Sequence, residues 1–187
     1  VANTLGNLER LHGTPDRPKD AALLEDIAQM VRALPAPPAA DLPNPSKGVQ
    51  AYATALRGVR DRALLLVGYA GALRRSELVG LQVGHVTFNA QGMELMIPRS
   101  KGDQEGKGRI VGVNRGETQD LCPVRALRRW LSEAGIDEGA VFRGVPRNAD
   151  IGPRSISGQS VVNAIKRAAE AAGLDPDGYA GHSLRRG

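Results

Sequence analysis

Apolar positions recur along this chain in blocks whose spacing shifts from helical to alternating and back, with proline- or glycine-rich breaks between them. Leu5, Leu8 and Leu11 fall three apart and predict the end of a helix within residues 1–12, followed by a linker, Gly13-Thr-Pro-Asp-Arg-Pro-Lys19. This start is expected to be the tail of a preceding domain, residues 1–19, with a second unit over residues 20–187. Asp20 is a suitable N-cap, and Leu23, Leu24, Ile27, Val31 and Leu34 form one helical stripe. Five prolines between Pro35 and Gly48 predict a loop. A longer helix is predicted from about Val49 to Ala70, with Leu64-Leu65-Leu66-Val67 implying burial on most sides.

Beyond Gly71 a short helix is predicted over Arg75–Gly80. Strand signals follow at Val83–Phe88, and again at Met93, Leu95 and Ile97, which alternate with Glu94 and Met96 after a turn at Asn89–Gly92. Ile110-Val111-Gly112-Val113 predicts a third strand. The second and third are joined by Lys101-Gly-Asp-Gln-Glu-Gly-Lys-Gly108, a charged, glycine-rich hairpin tip. Pro123 opens another helix containing Val124, Leu127, Leu131 and Ala134. Val161, Ile165, Ala168 and Ala172 mark a further one, and the residues from His182 read as a helix start. The fold class is therefore α+β: mostly helical, with a small three-stranded antiparallel sheet and no βαβ alternation.

Composition narrows the function. With 187 residues, 41% hydrophobic and 24% charged, the chain is an ordinary globular protein. Its longest apolar run, Ala63–Val67, is far short of the roughly 18 residues a membrane span needs. No signal-peptide pattern is visible, and the single cysteine, Cys122, excludes an internal disulfide, so the expected compartment is the cytoplasm. The formal charge of +5 is uneven: residues 1–56 carry five Lys/Arg against six Asp/Glu, residues 57–187 twenty against fourteen. Twenty of the 25 basic residues are arginine, whose planar fork matches phosphate oxygens; a GC-rich genome favouring arginine codons explains the bias equally well. Nucleic acid is a plausible partner on charge, which alone is weak support.

Several chemistries find no support. Gly102-Asp-Gln-Glu-Gly106-Lys107-Gly108 is one residue short of a P-loop and has glycine where the magnesium-binding hydroxyl belongs. His12, His85 and His182 are scattered, with no metal-ligand spacing, so no metal or cofactor is expected. No Gly-x-Ser-x-Gly elbow marks a serine hydrolase.

Two segments carry more. In Gly71-Ala-Leu-Arg74-Arg75-Ser76-Glu77-Leu78 an arginine leaves the end of a buried helix and an acid follows three residues later. In Gly181-His182-Ser183-Leu184-Arg185-Arg186-Gly187, His182 and Arg185 project from one face of a helical turn. Each alone reads equally as a polar helix face. With the lysine hairpin between them, the chain resembles the catalytic domain of the tyrosine recombinases, the family of phage integrases and Xer-type site-specific recombinases, over about residues 20–187. Leu73-Arg74-Arg75-Ser76-Glu77-Leu78 is similar to that family's first arginine box, Ser100-Lys101-Gly102 to its hairpin lysine, and His182-Ser183-Leu184-Arg185 to its His-x-x-Arg box.

The resemblance implies double-stranded DNA as partner, tetramers on DNA, no cofactor, and strand cleavage through a 3′-phosphotyrosine. A phosphodiester under attack gains charge on its nonbridging oxygens, which two converging arginines can neutralise. Arg74 and Arg185 are the candidates, with His182 as a further donor or proton shuttle. Lys101, or alternatively Lys107, is the candidate acid for the leaving 5′-oxygen, and Glu77 an acid orienting the arginine or histidine. The family's nucleophilic tyrosine follows the His-x-x-Arg box. Here Tyr52, Tyr69 and Tyr179 all precede it and read as packing residues, so these 187 residues are expected not to cleave DNA.

Three alternatives remain open to the sequence. A noncatalytic DNA-binding relative would keep only the phosphate clamp. Type IB topoisomerases share the arginine–lysine chemistry. A basic interaction domain would scatter the boxes in space.

Overall fold

A computed structural model describes residues 22–35, 48–98, 108–180 and 183–186 of the chain. They form helices α1 (Leu24–Ala33), α2 (Val49–Ala70), α3 (Arg75–Gly80), α4 (Pro123–Glu133), α5 (Gly158–Ala171) and α6 (Ser183–Arg186). Strands β1 (Val86–Phe88), β2 (Gly92–Ile97) and β3 (Arg109–Asn114) make one antiparallel sheet in that order. The α+β architecture expected from the sequence is the one found.

Helix α2 is the central element. Its residues from Gly58 to Gly68 are buried without interruption, so helices pack on most of its sides as the leucine run implied. Three charged residues lie inside that stretch: Arg60, Asp61 and Arg62 are each at most 5% exposed. Buried charge survives only when its polar atoms find partners, and here most of those partners lie on neighbouring segments. Asp61 accepts from Arg60 Nη2 at 2.6 Å and from Arg167 Nη2 of α5 at 2.9 Å. Arg62 Nη2 donates to Val31 O of α1 at 2.5 Å. Burial, then the like charge of Arg129, lowers the Arg62 pKa to about 10, so it stays a cation at neutral pH. Arg57 and Arg60 hold the backbone at Val145 and Arg143.

The sheet covers a different side of the core. Met93, Leu95, Ile97 and Val113 are buried, while Glu94, Met96 and Ile110 face out, the alternation expected of a half-covered sheet. Met93 pairs with Phe88 and with Val113, and Ile97 pairs with Arg109. Helix α4, opened by Pro123, buries Val124, Leu127 and Trp130. Trp130 Nε1 donates to Val141 O at 2.7 Å, and the Arg128 guanidinium lies 4.2 Å from the Phe88 ring centroid, joining α4 to β1.

Two expectations are corrected. The first helix begins at Leu24, not near residue 20, and Leu23 and Leu24 are 56% and 57% exposed. Its buried face is Ile27, Ala28, Met30 and Val31, and its start is marked by Asp26 Oδ2, which accepts from the N-cap Leu23 N–H at 2.9 Å. The proposed cap Asp20, the residue 1–12 helix and most of the proline loop lie outside the described residues. The predicted strand over Val83–Phe88 is a strand only from Val86. Val83–His85 form a 3₁₀ turn because Val83 N–H is drawn to Gly139 O at 2.8 Å and His85 Nδ1 accepts from Gln82 N–H at 3.3 Å. Among the described residues no helix is long and apolar enough to cross a membrane.

Candidate active site

The path into the site starts where α2 ends. Gly71 N–H bonds Val67 O, Ala72 takes a left-handed conformation (φ +45°), and Leu73 N–H returns to Gly68 O at 2.9 Å. Leu73 and Leu78 are fully buried on either side of Arg74. The arginine is thus held at the rim of the core while its side chain, 41% exposed, reaches the surface.

Glu77 turns back on Arg74. Its Oε2 accepts from Arg74 N–H at 2.7 Å and its Oε1 from Arg74 Nη1 at 3.0 Å. A second cation, Arg109 at the start of β3, donates from Nη2 to Glu77 Oε2 at 3.0 Å. The Glu77 side chain is only 4% exposed. Burial is the largest single influence on its pKa and pushes it up. The hydrogen bonds from Arg74 and the charge and hydrogen bond of Arg109 together outweigh it, leaving the carboxyl below its ordinary value. Two guanidiniums share one carboxylate, so the cluster keeps an excess of one positive charge, with Arg74 retaining N–H donors not directed at Glu77.

The His-x-x-Arg segment arrives at the same helix ends. Ser183 opens α6, its Oγ accepting from Ala180 N–H at 3.0 Å and its carbonyl from Ala22 N–H at 3.1 Å. Leu184 is 1% exposed. An added Cβ on Gly68 of α2 would stand 2.8 Å from Leu184 Cδ1 and 3.1 Å from Leu78 Cδ1 of α3. The absent side chain of Gly68 therefore lets α6 and α3 meet over the end of α2. Residues 110 positions apart along the chain, Arg74 and Leu184, belong to elements that touch there.

Of the sequence-derived candidates, Arg74 and Glu77 are brought together. Arg185 belongs to α6 by its backbone, and its side chain lies outside the described residues, as do His182, Lys101 and Lys107. The connection carrying both lysines runs between Ile97 and Arg109, which are paired across β2 and β3. Arg109 was not among the candidates. Its signal was the period-two alternation of β3, which sets it on the inward face with Val111 and Val113, where a charge needs a partner. Tyr179 is buried, and Tyr52 and Tyr69 pack partly buried against the core, as expected.

An open groove of about 620 Å³ lies beside this corner, lined among others by Val145, Pro146, Arg154, Ser155, Ser157 and Ser160. Ser155, in its lining, donates from Oγ to Val79 O of α3 at 2.6 Å, and the Arg75 side chain lies against Gly158, the first residue of α5. Arg74, Glu77 and Arg109 do not line this groove. Among the described residues no group of three or more His, Cys, Asp or Glu could hold a metal ion.

The profile of the "Phage integrase family" matches residues 47–187. The chain is 37% identical over all 187 residues to an integrase/recombinase xerD homolog of Selenomonas ruminantium, covering 50% of that protein. Over 130 residues, 68% of this chain, it is 37% identical to the tyrosine recombinase XerD of Xanthomonas axonopodis pv. citri, covering 40% of it. The chain thus spans half or less of the curated relatives it matches. Among solved structures, XerH site-specific recombinase bound to difH substrate in a pre-cleavage complex aligns with TM-score 0.60 at 16% identity, over 90% of this chain and 41% of that one. XerA recombinase aligns with TM-score 0.56 at 16% identity, over 95% and 50%. At that identity the likeness concerns the fold.

Proposed function

Because the chain belongs to the phage integrase family, we propose that it supplies the phosphate-activating part of a site-specific recombinase, which cuts and rejoins duplex DNA through a 3′-phosphotyrosine. Arg74 and Arg185 neutralise the charge that builds on the nonbridging oxygens of the scissile phosphate, and His182 adds a donor or carries a proton. Lys101 protonates the departing 5′-oxygen, with Lys107 as the alternative. Glu77 fixes the fork of Arg74 and stays clear of the phosphate, which a carboxylate would repel.

One observation carries this reading. Leu184, between His182 and Arg185, packs on Gly68 and Leu78, beside the turn that presents Arg74. A domain whose boxes matched by coincidence has no reason to seat them on one helix end. The excess positive charge on the Arg74–Glu77–Arg109 cluster suits an anion.

The division into the tail of an N-terminal core-binding domain plus linker at residues 1–19 and an incomplete catalytic unit over residues 20–187, and assembly of several copies on DNA, belong to the same proposal. So does the expectation that these 187 residues, as a free polypeptide, bind duplex weakly and form no covalent adduct.

Two measurements test it. Duplex affinity should fall steeply with salt, and Arg74→Ala should lower the log–log slope by about 0.9, one phosphate contact. Incubation with a nicked suicide substrate should give no adduct. Salt-independent binding, or an unchanged slope in Arg74→Ala, overturns the clamp; an adduct overturns the assignment of all three tyrosines to packing.

A further inference from the structure

Within that reading, on which this inference rests, the cluster around Glu77 contains one residue with no role so far. Arg109 stands 32 residues from Glu77 and on a different layer of the fold, yet its Nη2 lies 3.0 Å from the carboxylate oxygen that also accepts the Arg74 N–H. Each Glu77 oxygen faces an arginine donor, so removing either arginine leaves a buried carboxylate less well satisfied. Arg109 is also the first paired residue of β3 after the connection that bears Lys101, opposite Ile97. Its neighbour Gly108 adopts φ +66° with its would-be Cβ 2.7 Å from Ile97 O, so the strand entrance is tightly fixed.

We propose that Arg109 is a positioning residue for the phosphate clamp: through the Glu77 carboxylate it holds the Arg74 guanidinium in register with the base of the lysine-bearing connection. The carboxylate is shared between a local partner, three residues away, and a distant one. With Arg109 gone, Glu77 is free to draw the Arg74 fork fully onto itself, since opposite charges that lose one partner tighten on the other. The donors of Arg74 then turn from the phosphate. A residue that merely stabilised the hairpin would not communicate with Arg74 in this way, and one that touched DNA itself would act independently of it.

The experiment is duplex binding by the chain carrying Arg109→Ala, Arg74→Ala and both, with Arg109→Lys as the conservative variant and urea denaturation alongside. Arg109→Ala should weaken binding about fivefold, the scale of one charge-assisted hydrogen bond at a half-exposed site. In the Arg74→Ala background the same change should cost less than about twofold, because its target is gone. Arg109→Lys, which keeps the charge but not the fork, should recover part of the loss. Equal losses in both backgrounds show direct contact with DNA and overturn the proposal, as does no loss in either. If Arg74→Ala itself binds as well as the parent chain, the clamp fails and the proposal with it; a loss on Arg74→Ala with additive Arg109→Ala defeats the proposal alone. Arg109 is 44% exposed, so the fold should tolerate its replacement.

Discussion

Replacing Gly68 with alanine asks whether the two arginine boxes really meet over the end of α2. Glycine inside a helix costs about 1 kcal/mol relative to alanine, so at an indifferent site the change stabilises by that amount. This site is not indifferent. The new Cβ would stand 2.8 Å from Leu184 Cδ1 and 3.1 Å from Leu78 Cδ1, and those leucines are 1% and 0% exposed. Carbon atoms rest about 3.5–4.0 Å apart, so the leucines must retreat by roughly 0.7 Å in a closed core. Overpacking of this kind costs about 1–3 kcal/mol, which cancels or exceeds the helical gain. Gly68→Ala is therefore expected to be neutral to about 2 kcal/mol destabilising, and to weaken duplex binding as α6 is pushed from α3. Leu184→Ala removes the nearer obstacle. It should itself cost about 2–5 kcal/mol, but in its presence Gly68→Ala should become stabilising by about 1 kcal/mol. The assay is urea denaturation followed by the fluorescence of Trp130, the one tryptophan in the chain. A gain of about 1 kcal/mol from Gly68→Ala in both backgrounds, with duplex affinity untouched, refutes the reasoning.

Further outcomes follow from the same neighbourhood. Ala72→Gly should raise stability by about 0.5–1 kcal/mol in the same denaturation assay, since φ +45° strains alanine by more than the added freedom of the unfolded glycine costs. Glu77 binds its proton more weakly folded than unfolded, so its stabilising effect is present above the ordinary carboxylate range and is lost as pH falls through its depressed native value. Denaturation midpoints measured down the acid limb should show Glu77→Gln less stable at neutral pH and less pH-sensitive than the parent chain. Trp130→Phe should lose about 1–3 kcal/mol, because Val141 O is left without its 2.7 Å donor in a dry core; this is read by circular dichroism as the fluorophore is gone.

How far the sequence foretold this depends on whether an element's partners lie near it in the chain. The boundaries of α2, α3 and α4 were readable because capping glycines, Pro123 and an apolar run act within a turn or two. The pairing of Met93, Leu95 and Ile97 with the third strand followed from alternation around one turn signal. Failures came where distant groups intervened. Leu23 and Leu24 fit a helical stripe, but the helix buries Ile27, Ala28, Met30 and Val31 against the rest of the fold and leaves those two in solvent. Val83 looks like strand, but Gly139, 56 residues on, claims its N–H. Nothing local in the sequence marks Arg60, Asp61 and Arg62 as buried; the partners that hold them, Arg167 of α5, Val31 O of α1 and Arg143 O, lie far along the chain. In the site, Arg74 and Glu77 were legible as neighbours three residues apart. Arg109 was not, because its partner is across the fold and an arginine at a strand entrance is unremarked unless one asks which face it is on.

The central claim is that the box at Arg74 and the box ending at Arg185 grip a single phosphate. Duplex affinity at one fixed salt concentration for Arg74→Ala, Arg185→Ala and the double variant tests it most directly. One shared phosphate requires the two losses to be coupled by about 1 kcal/mol or more, the second arginine mattering less once the first is gone. Losses that simply add would mean two separate contacts with DNA, and no common site.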